Sequence, residues 1–211
     1  MAKLKIYGDG ISGNCLKVKW TADLLGLGYK WIETDVLKAE TRTPEFLKLN
    51  PAGQVPLVVL RDGRTLAQSN AIILYLNRVY KGGLLPKGEY ARAKVFEWLF
   101  WEQYSHETAI AVRRFHKAYL KKSDAEIDPK LMEKGVAALK IMEAALKASP
   151  YFVGDKLTVA DIALVAYTRV APEGGFDLSP YPAVRTWIAR VERDLGIKAP
   201  KKLNKKIKKA A

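Results

Sequence analysis

Strand-like patterning stops near residue 80. Before that point strand and helix patterns alternate, and from about Tyr90 onward only helical spacing recurs. One sheet cannot organise such a chain over its full length; the pattern predicts a small α/β domain followed by an all-α one. Leu4-Lys5-Ile6-Tyr7 reads as a strand ended by Gly8-Asp9-Gly10. Asn14 to Leu25 spaces Leu16, Val18, Trp20, Leu24 and Leu25 as a helix, closed by Gly26. Tyr29 to Val36 reads as a second strand. Thr43-Pro44-Glu45 starts a short helix with a capping Thr and Pro at the first helical position, and Asn50-Pro51 ends it. Val55 to Leu60 and Thr65-Leu66-Ala67 flank Asp62-Gly63, a hairpin signal that makes these two strands antiparallel. Gln68-Ser69-Asn70 then opens a helix. The order is βαβαββα over residues 1–80, with a mixed sheet.

Residues 81–89, KGGLLPKGE, read as a linker. The helical part over 90–197 has four main patterns. Tyr90–Leu120 is a single long aromatic-rich helix, Pro129–Ala148 a second, Asp161–Ala171 a third capped by Thr158, and Pro182–Asp194 a fourth.

Composition narrows the class. The 211 residues are 49% hydrophobic, with no apolar run of the length a membrane-spanning helix needs. A single cysteine excludes an internal disulfide framework and a cysteine-rich metal site, and a reduced, cytoplasmic setting is the expectation. His106 and His116 lack metal-ligand spacing. The net charge of +14 invites a nucleic-acid reading, but half of it sits in the lysine-rich tail 198–211. Residues 1–80 carry +4, residues 81–197 carry +3, and the tail carries seven lysines with no acid. Contact with nucleic acid or an anionic membrane would therefore run through that tail and not through the body of the chain.

Gly8-x-Gly10-x-x-Gly13 is a literal G-x-G-x-x-G between a strand and a helix, with Glu33 and Asp35 about 20 residues on. A dinucleotide fold would continue with parallel strands and crossover helices. An Asp-Gly hairpin follows here instead, so the glycines are read as a strand-to-helix turn.

Three segments carry chemistry. Ser12-Gly13-Asn14-Cys15 lies at a helix start, where backbone N–H groups and the helix dipole favour an anion. Its spacing is that of a Cys-x-x-Cys motif with Ser in the first place, so a thiol there comes from the ligand and not the protein. Ser12 is equally suited to capping the helix, and Cys15 to filling the core. In Gln54-Val55-Pro56 the proline marks a strand start. A cis bond before it would turn the Val55 N–H and C=O outward to a peptide ligand. Gln68-Ser69 opens another helix, where a hydroxyl and exposed N–H groups suit a carboxylate.

In their order, these segments resemble the cytosolic glutathione transferases over almost the whole chain. The resemblance rests on Ile6-Tyr7, Ser12-Gly13-Asn14-Cys15, Asn50-Pro51, Gln54-Val55-Pro56, Asp62-Gly63, Gln68-Ser69-Asn70-Ala71-Ile72, Val153-Gly154-Asp155 and Thr158-Val159-Ala160-Asp161. It looks like the bacterial, theta-like serine-type branch. The resemblance implies a thioredoxin-like βαβαββα domain followed by a helical bundle, a homodimer, and glutathione as cosubstrate with no cofactor. It makes Ser12 the hydroxyl that stabilises the glutathione thiolate, with Asn14 and Tyr7 as alternatives. Val55, ahead of cis-Pro56, pairs with the cysteinyl part. Gln68 and Ser69 hold the γ-glutamyl carboxylate, and Gln54, Thr41 and Arg42 lie toward the glycyl end. Tyr104 and Thr108 are placed on the electrophile pocket wall, while Thr158 and Asp161 form a capping box.

The activity implied is conjugation of glutathione to a small electrophile. The alternatives are glutathione-dependent peroxide or disulfide reduction, or a ligand carrier or assembly module on the same fold. The energetics of thiol activation need no protein base. A thiol pKa near 8.5 falls by about 2 units for about 2.7 kcal/mol. One hydrogen bond to a charged group supplies roughly 1.5–3 kcal/mol and a helix terminus about 0.3–1.

Overall fold

The computed structural model describes residues 4–200. The chain forms two compact units that part between Leu84 and Leu85. In the first, β1 (Leu4–Gly8), α1 (Gly13–Leu24), β2 (Tyr29–Glu33), α2 (Pro44–Leu49), β3 (Leu57–Val59), β4 (Thr65–Ala67) and α3 (Ser69–Val79) follow in order. The four strands make one mixed sheet ordered β2-β1-β3-β4. β1 and β2 run parallel, while β3 is antiparallel to both β1 and β4. This is the expected βαβαββα arrangement.

Strand alternation sets the sheet's core side. Leu4 and Ile6 are buried with Lys5 exposed between them. Leu57 and Val58 of β3 and Ile72, Ile73 and Leu76 of α3 add the rest of the core. α1 packs along α3. Its inward face differs from the expected one in two places: Leu24 at the C-terminal end is exposed, and Lys17 is fully buried. The alkyl stem of a lysine packs like a hydrophobe. The second strand ends at Glu33, not Val36, because Thr34 N–H already turns to donate to Gly8 O. The segment after α3 is tied back to it. Asn77 Oδ1 accepts from Leu84 N–H at 2.9 Å, Asn77 O accepts from Gly82 N–H, and Leu84 is buried.

The second unit is helical: α4 (Glu89–Trp101), α5 (Glu107–Arg114), α6 (Pro129–Ala148), α7 (Val159–Thr168) and α8 (Pro182–Asp194). The single helix expected over Tyr90–Leu120 is helical throughout but interrupted. π-helical turns at Glu102–His106 and Phe115–Tyr119 separate and follow α4 and α5. A π turn inserts an extra residue per turn and rotates the face that packs inward. The first one buries Glu102 and His106 completely while Tyr104 stays 85% exposed. The third helix ends earlier than expected, at Thr168, and a 3-10 turn covers Ala171–Gly174.

Every residue of α7 is buried, so it forms the centre of this unit. Thr158 and Asp161 form the expected capping box at its start. Asp161 Oδ2 accepts from Thr158 N–H at 2.9 Å and from its hydroxyl at 2.7 Å. Among the described residues no helix is long and apolar enough to cross a membrane.

Candidate functional site

The strand register gathers the chemistry-bearing segments at one end of the sheet. Tyr7 is opposite Leu57, Leu57 is opposite Ala67, and Gly8 is beside Glu33. The residues that leave β1 (Gly8–Ser12), enter β3 (Val55–Pro56) and leave β4 (Gln68–Ser69) therefore lie side by side. The N-termini of α1 and α3 both open at this end, so the dipole of each helix presents positive charge there.

Ser12 is the N-cap of α1, half-buried, with extended backbone. Its Oγ accepts from Cys15 N–H at 3.4 Å. A hydroxyl oxygen engaged in this way keeps its proton for another acceptor. Cys15 points inward: it is fully buried, and burial pushes its thiol up to about 11. A thiol so placed is neutral at physiological pH and fills space. Tyr7 packs edge-on against Phe46 of α2, with ring centroids 6.0 Å apart.

The loop that delivers Ser12 is held by three anchors. Asp9 is buried, and its carboxylate accepts from Ile11 N–H at 2.9 Å and Val36 N–H at 3.0 Å, while its carbonyl accepts from Ser12 N–H at 3.0 Å. Glu33 accepts from Gly10 N–H at 2.9 Å and from Trp31 Nε1 at 2.6 Å. The Trp31 ring lies against Gly8, where a Cβ would collide with it. The glycine-rich sequence thus serves close packing and a turn, and Glu33 binds the turn itself.

At the start of β3 the Val55–Pro56 peptide is cis, as expected. The preceding loop is organised by Asn50, which is buried. Its Nδ2 donates to Gln54 O at 2.7 Å, its Oδ1 accepts from Ala52 N–H at 3.2 Å, and its carbonyl accepts from Gly53 N–H. Gly53 has φ of +60° and its α-carbon faces the Arg42 guanidinium, a place with no room for a side chain. Arg42 is exposed and donates to Ala52 O at 3.5 Å, while Thr41 is buried in the turn before it. Gln54 is exposed.

Gln68 caps α3 with φ of +69°, the left-handed region that non-glycine residues adopt at a cost of about 1–3 kcal/mol. No side chain caps this helix and its first turn carries no acid, which leaves the positive end to an anion. Ser69 is buried at the first helical position, and its hydroxyl donates to Asn14 Oδ1 at 2.9 Å. The same oxygen accepts from Lys17 Nζ at 2.8 Å. The structure thus joins Asn14 and Ser69 directly.

Sequence reading missed Asn50 and Lys17 as parts of this site. Asn50 enters the sequence reading as the end of α2 and, with Pro51, as part of the family resemblance, and Lys17 does not enter it. Tyr104 and Thr108 lie in the second unit. Both are exposed, and the Thr108 hydroxyl donates to Tyr104 O at 2.8 Å. His106, in the same segment, is buried with Nε2 2.9 Å from Thr168 Oγ1. Among the described residues no cluster of three or more His, Cys, Asp or Glu could hold a metal.

A four-strand mixed sheet with helices, followed by a helical unit, is a thioredoxin-like domain joined to an all-helical one. Comparison with known proteins makes this specific. Residues 11–79 match the model of the glutathione S-transferase N-terminal domain, and residues 96–194 that of its C-terminal domain. A probable glutathione S-transferase of Oryza sativa subsp. japonica is 30% identical over 89% of this chain and 90% of its own length. The crystal structure of a glutathione S-transferase from Pseudomonas fluorescens is 45% identical, with a TM-score of 0.86 over 90% of this chain and 95% of that one. A glutathione S-transferase structure from Xanthobacter autotrophicus is 43% identical, with a TM-score of 0.87 over 96% and 98% of the two chains. The chain belongs to the glutathione S-transferase family.

Proposed function

We propose that this chain is a serine-type glutathione transferase of the bacterial, theta-like kind, in which Ser12 stabilises the glutathione thiolate for attack on a small electrophilic carbon. The observation that carries the reading is the position of Ser12. Its oxygen accepts from the α1 backbone while its proton stays available, at the positive end of a helix and beside the Val55 and Ser69 segments. The neighbouring Cys15 is buried with a raised pKa, which favours a ligand thiol over a protein thiol as the nucleophile.

In this reading the Val55 backbone pairs with the cysteinyl part of glutathione. Gln68 and the N-terminus of α3 take the γ-glutamyl carboxylate, and Gln54 with Arg42 and Thr41 faces the glycyl end. The nucleophilic thiolate forms a carbon–sulfur bond, and the electrophile's leaving group departs with its electron pair. Tyr104 and Thr108 contribute to the electrophile side. The chain acts as a cytoplasmic homodimer without a cofactor, its second copy covering exposed apolar side chains such as Tyr90 and Phe100, 81% and 76% exposed.

The test is a titration of the purified protein with glutathione while the ultraviolet thiolate absorbance is followed against pH. A bound thiol titrating one to two units below about 8.5 supports the assignment. Tight binding with an unshifted thiol would make the protein a carrier, and absence of binding at millimolar glutathione would overturn the reading.

A further inference from the structure

We propose that the face built by α6 and α8 of the helical unit docks on an anionic lipid bilayer, with the lysine-rich tail 198–211 acting beside it. The sequence places such contact on the tail alone; the fold adds a surface of the body to it. Lys140 and Lys147 stand two turns apart on one exposed stripe of α6. Arg185, Ala189 and Arg193, spaced four apart, form an exposed stripe of α8. The two stripes meet where α8 begins. One groove is lined by Lys147, Pro150, Thr186 and Arg190. The next is lined by Pro182, Arg185, Thr186, Arg190, Arg193 and Ala199, so Thr186 and Arg190 belong to both. Arg190 Nη1 donates to Pro150 O at 2.6 Å, with its guanidinium over the Tyr151 ring, which fixes this cation at the junction.

The acids of the two helices do not offset the face. Glu143 is buried and accepts from Ala183 N–H at 3.2 Å and Val184 N–H at 3.0 Å. Glu192 is buried and paired with Arg169 Nε at 2.7 Å. Asp194 accepts from the Tyr151 hydroxyl and lies 3.6 Å from Arg193. Glu133 is exposed, but it sits near the other end of α6 with Lys130 and Lys134 beside it. The tail leaves from the same face. Arg169 Nη2 donates to Lys198 O and Ala199 lines the α8 groove, so the six lysines within 201–211 are tethered there.

Sign and chemistry select the occupant. A second copy presenting the same face would set like charges opposite one another, and the tail carries the face's own sign, so neither covers it. The partner is therefore anionic. A single nucleic acid strand gains from exposed aromatic platforms, but the rings next to these grooves, Tyr151, Tyr181 and Trp187, are buried. The apolar groups found among the cations are aliphatic: Ile141, 48% exposed beside Lys140, and Leu203 and Ile207 in the tail sequence. Aliphatic side chains among Lys and Arg suit the boundary between headgroups and acyl chains. Anionic lipids supply the negative surface potential, which strengthens binding about fivefold for each cation near it.

The experiment is cosedimentation of the full chain with vesicles of phosphatidylcholine alone and of equal parts phosphatidylcholine and phosphatidylglycerol, with thermal unfolding as the control for fold. Wild type is expected to bind the anionic vesicles about tenfold or more tightly than the neutral ones, less so as salt rises. Lys140→Gln, Lys147→Gln, Arg185→Gln and Arg193→Gln combined should weaken that binding about tenfold or more with the tail intact, and leave unfolding unchanged. The charge-keeping set Lys140→Arg, Lys147→Arg, Arg185→Lys and Arg193→Lys should bind as wild type. Removal of 201–211 should leave a measurable preference for anionic vesicles, which the four Gln changes then erase. Anionic-vesicle binding that survives the four Gln changes, or that disappears with the tail alone, would overturn the assignment of the face. No preference of wild type for anionic vesicles would overturn the lipid partner, and retention by a duplex oligonucleotide in the same buffer would then make nucleic acid the occupant.

Discussion

Ser12 Oγ and the backbone N–H of Cys15, 3.4 Å apart, are joined by a single hydrogen bond that gives one hydroxyl two duties. It caps α1, and under the proposed function its proton is the one offered to a bound thiolate. Ser12→Ala should remove both. Loss of the cap costs about 1 kcal/mol of stability, while loss of a hydrogen bond to a charged sulfur costs roughly 1.5–3 kcal/mol. The expected result is a 10- to 100-fold fall in kcat/KM and a rise of one to two units in the bound thiol pKa, with the fold retained. Stopped-flow titration of bound glutathione measures it directly. A bound thiol that still titrates low in Ser12→Ala would hand the role to Asn14.

Gly8 is a packing residue, and the prediction for it concerns stability. The Trp31 ring occupies the place a Cβ at Gly8 would need, and Trp31 is held there by the bond from its Nε1 to Glu33 at 2.6 Å. Gly8→Ala should destabilise the first unit by about 1–3 kcal/mol, the usual cost of overfilling a packed site. Adding Trp31→Ala should recover part of that loss, because the two changes meet at one contact. Urea denaturation of the two single variants and the double variant gives the coupling energy. Strict additivity would place the role of Gly8 elsewhere.

The particular residues show why some of this was legible from sequence and some was not. Thr43 before Pro44, Asp62-Gly63 and Thr158 with Asp161 are local devices, each complete within four residues, and each appears where it was expected. The binding segments could be ordered along the chain for the same reason. Glu33 illustrates the other case. Its spacing from the glycines suited a ribose-binding acid, and only the parallel pairing of β1 with β2 shows that it binds Gly10 N–H. The place of Lys17 in the site is not legible because its neighbour Asn14 is joined to Ser69, 55 residues on, and Asn50-Pro51 marks a helix end without showing that the Asn50 side chain closes the loop onto the Gln54 carbonyl. The π turn at Glu102–His106 leaves no local sequence mark that separates it from a continuous helix.

Cys15 should be inert in the native protein. Burial pushes its thiol up to about 11 from 9.0, so a negligible fraction is thiolate at neutral pH. Labelling by an aromatic disulfide reagent at pH 7.5 should therefore be at least 100-fold slower than in urea, where the ordinary thiol pKa returns. The linkage has a definite sign. The folded pKa lies above the unfolded one, so the contribution to stability is full below pH 9 and is lost as pH rises toward 11, by up to about 1.4 kcal/mol per pH unit. Urea midpoints measured from pH 7 to 10 check this against Cys15→Ala, which should lack that part of the alkaline loss. Rapid native labelling would show that the thiol is reachable after all.

Asp161 is the residue whose loss should do most damage to the second unit. Its Oδ1 accepts from Phe152 N–H at 3.1 Å and Trp187 Nε1 at 2.9 Å, while Oδ2 takes both donors of Thr158. Asp161 and Trp187 are fully buried, and α7, which carries Asp161, has no exposed face. Asp161→Ala leaves all these donors without an acceptor where water cannot replace it, and an unmet buried donor costs about 1–3 kcal/mol. The expected loss is about 3–5 kcal/mol, with red-shifted tryptophan emission if the Trp187 packing loosens. Asp161→Asn is nearly isosteric but turns an NH2 group toward donors on one side, so it should recover only the half served by a single oxygen. Thr158→Ala removes one donor together with its cap and should cost about 1 kcal/mol. Chemical denaturation followed by tryptophan emission orders the three variants. An Asp161→Asn protein as stable as the parent would mean that the carboxylate charge and its second oxygen contribute nothing to the start of α7.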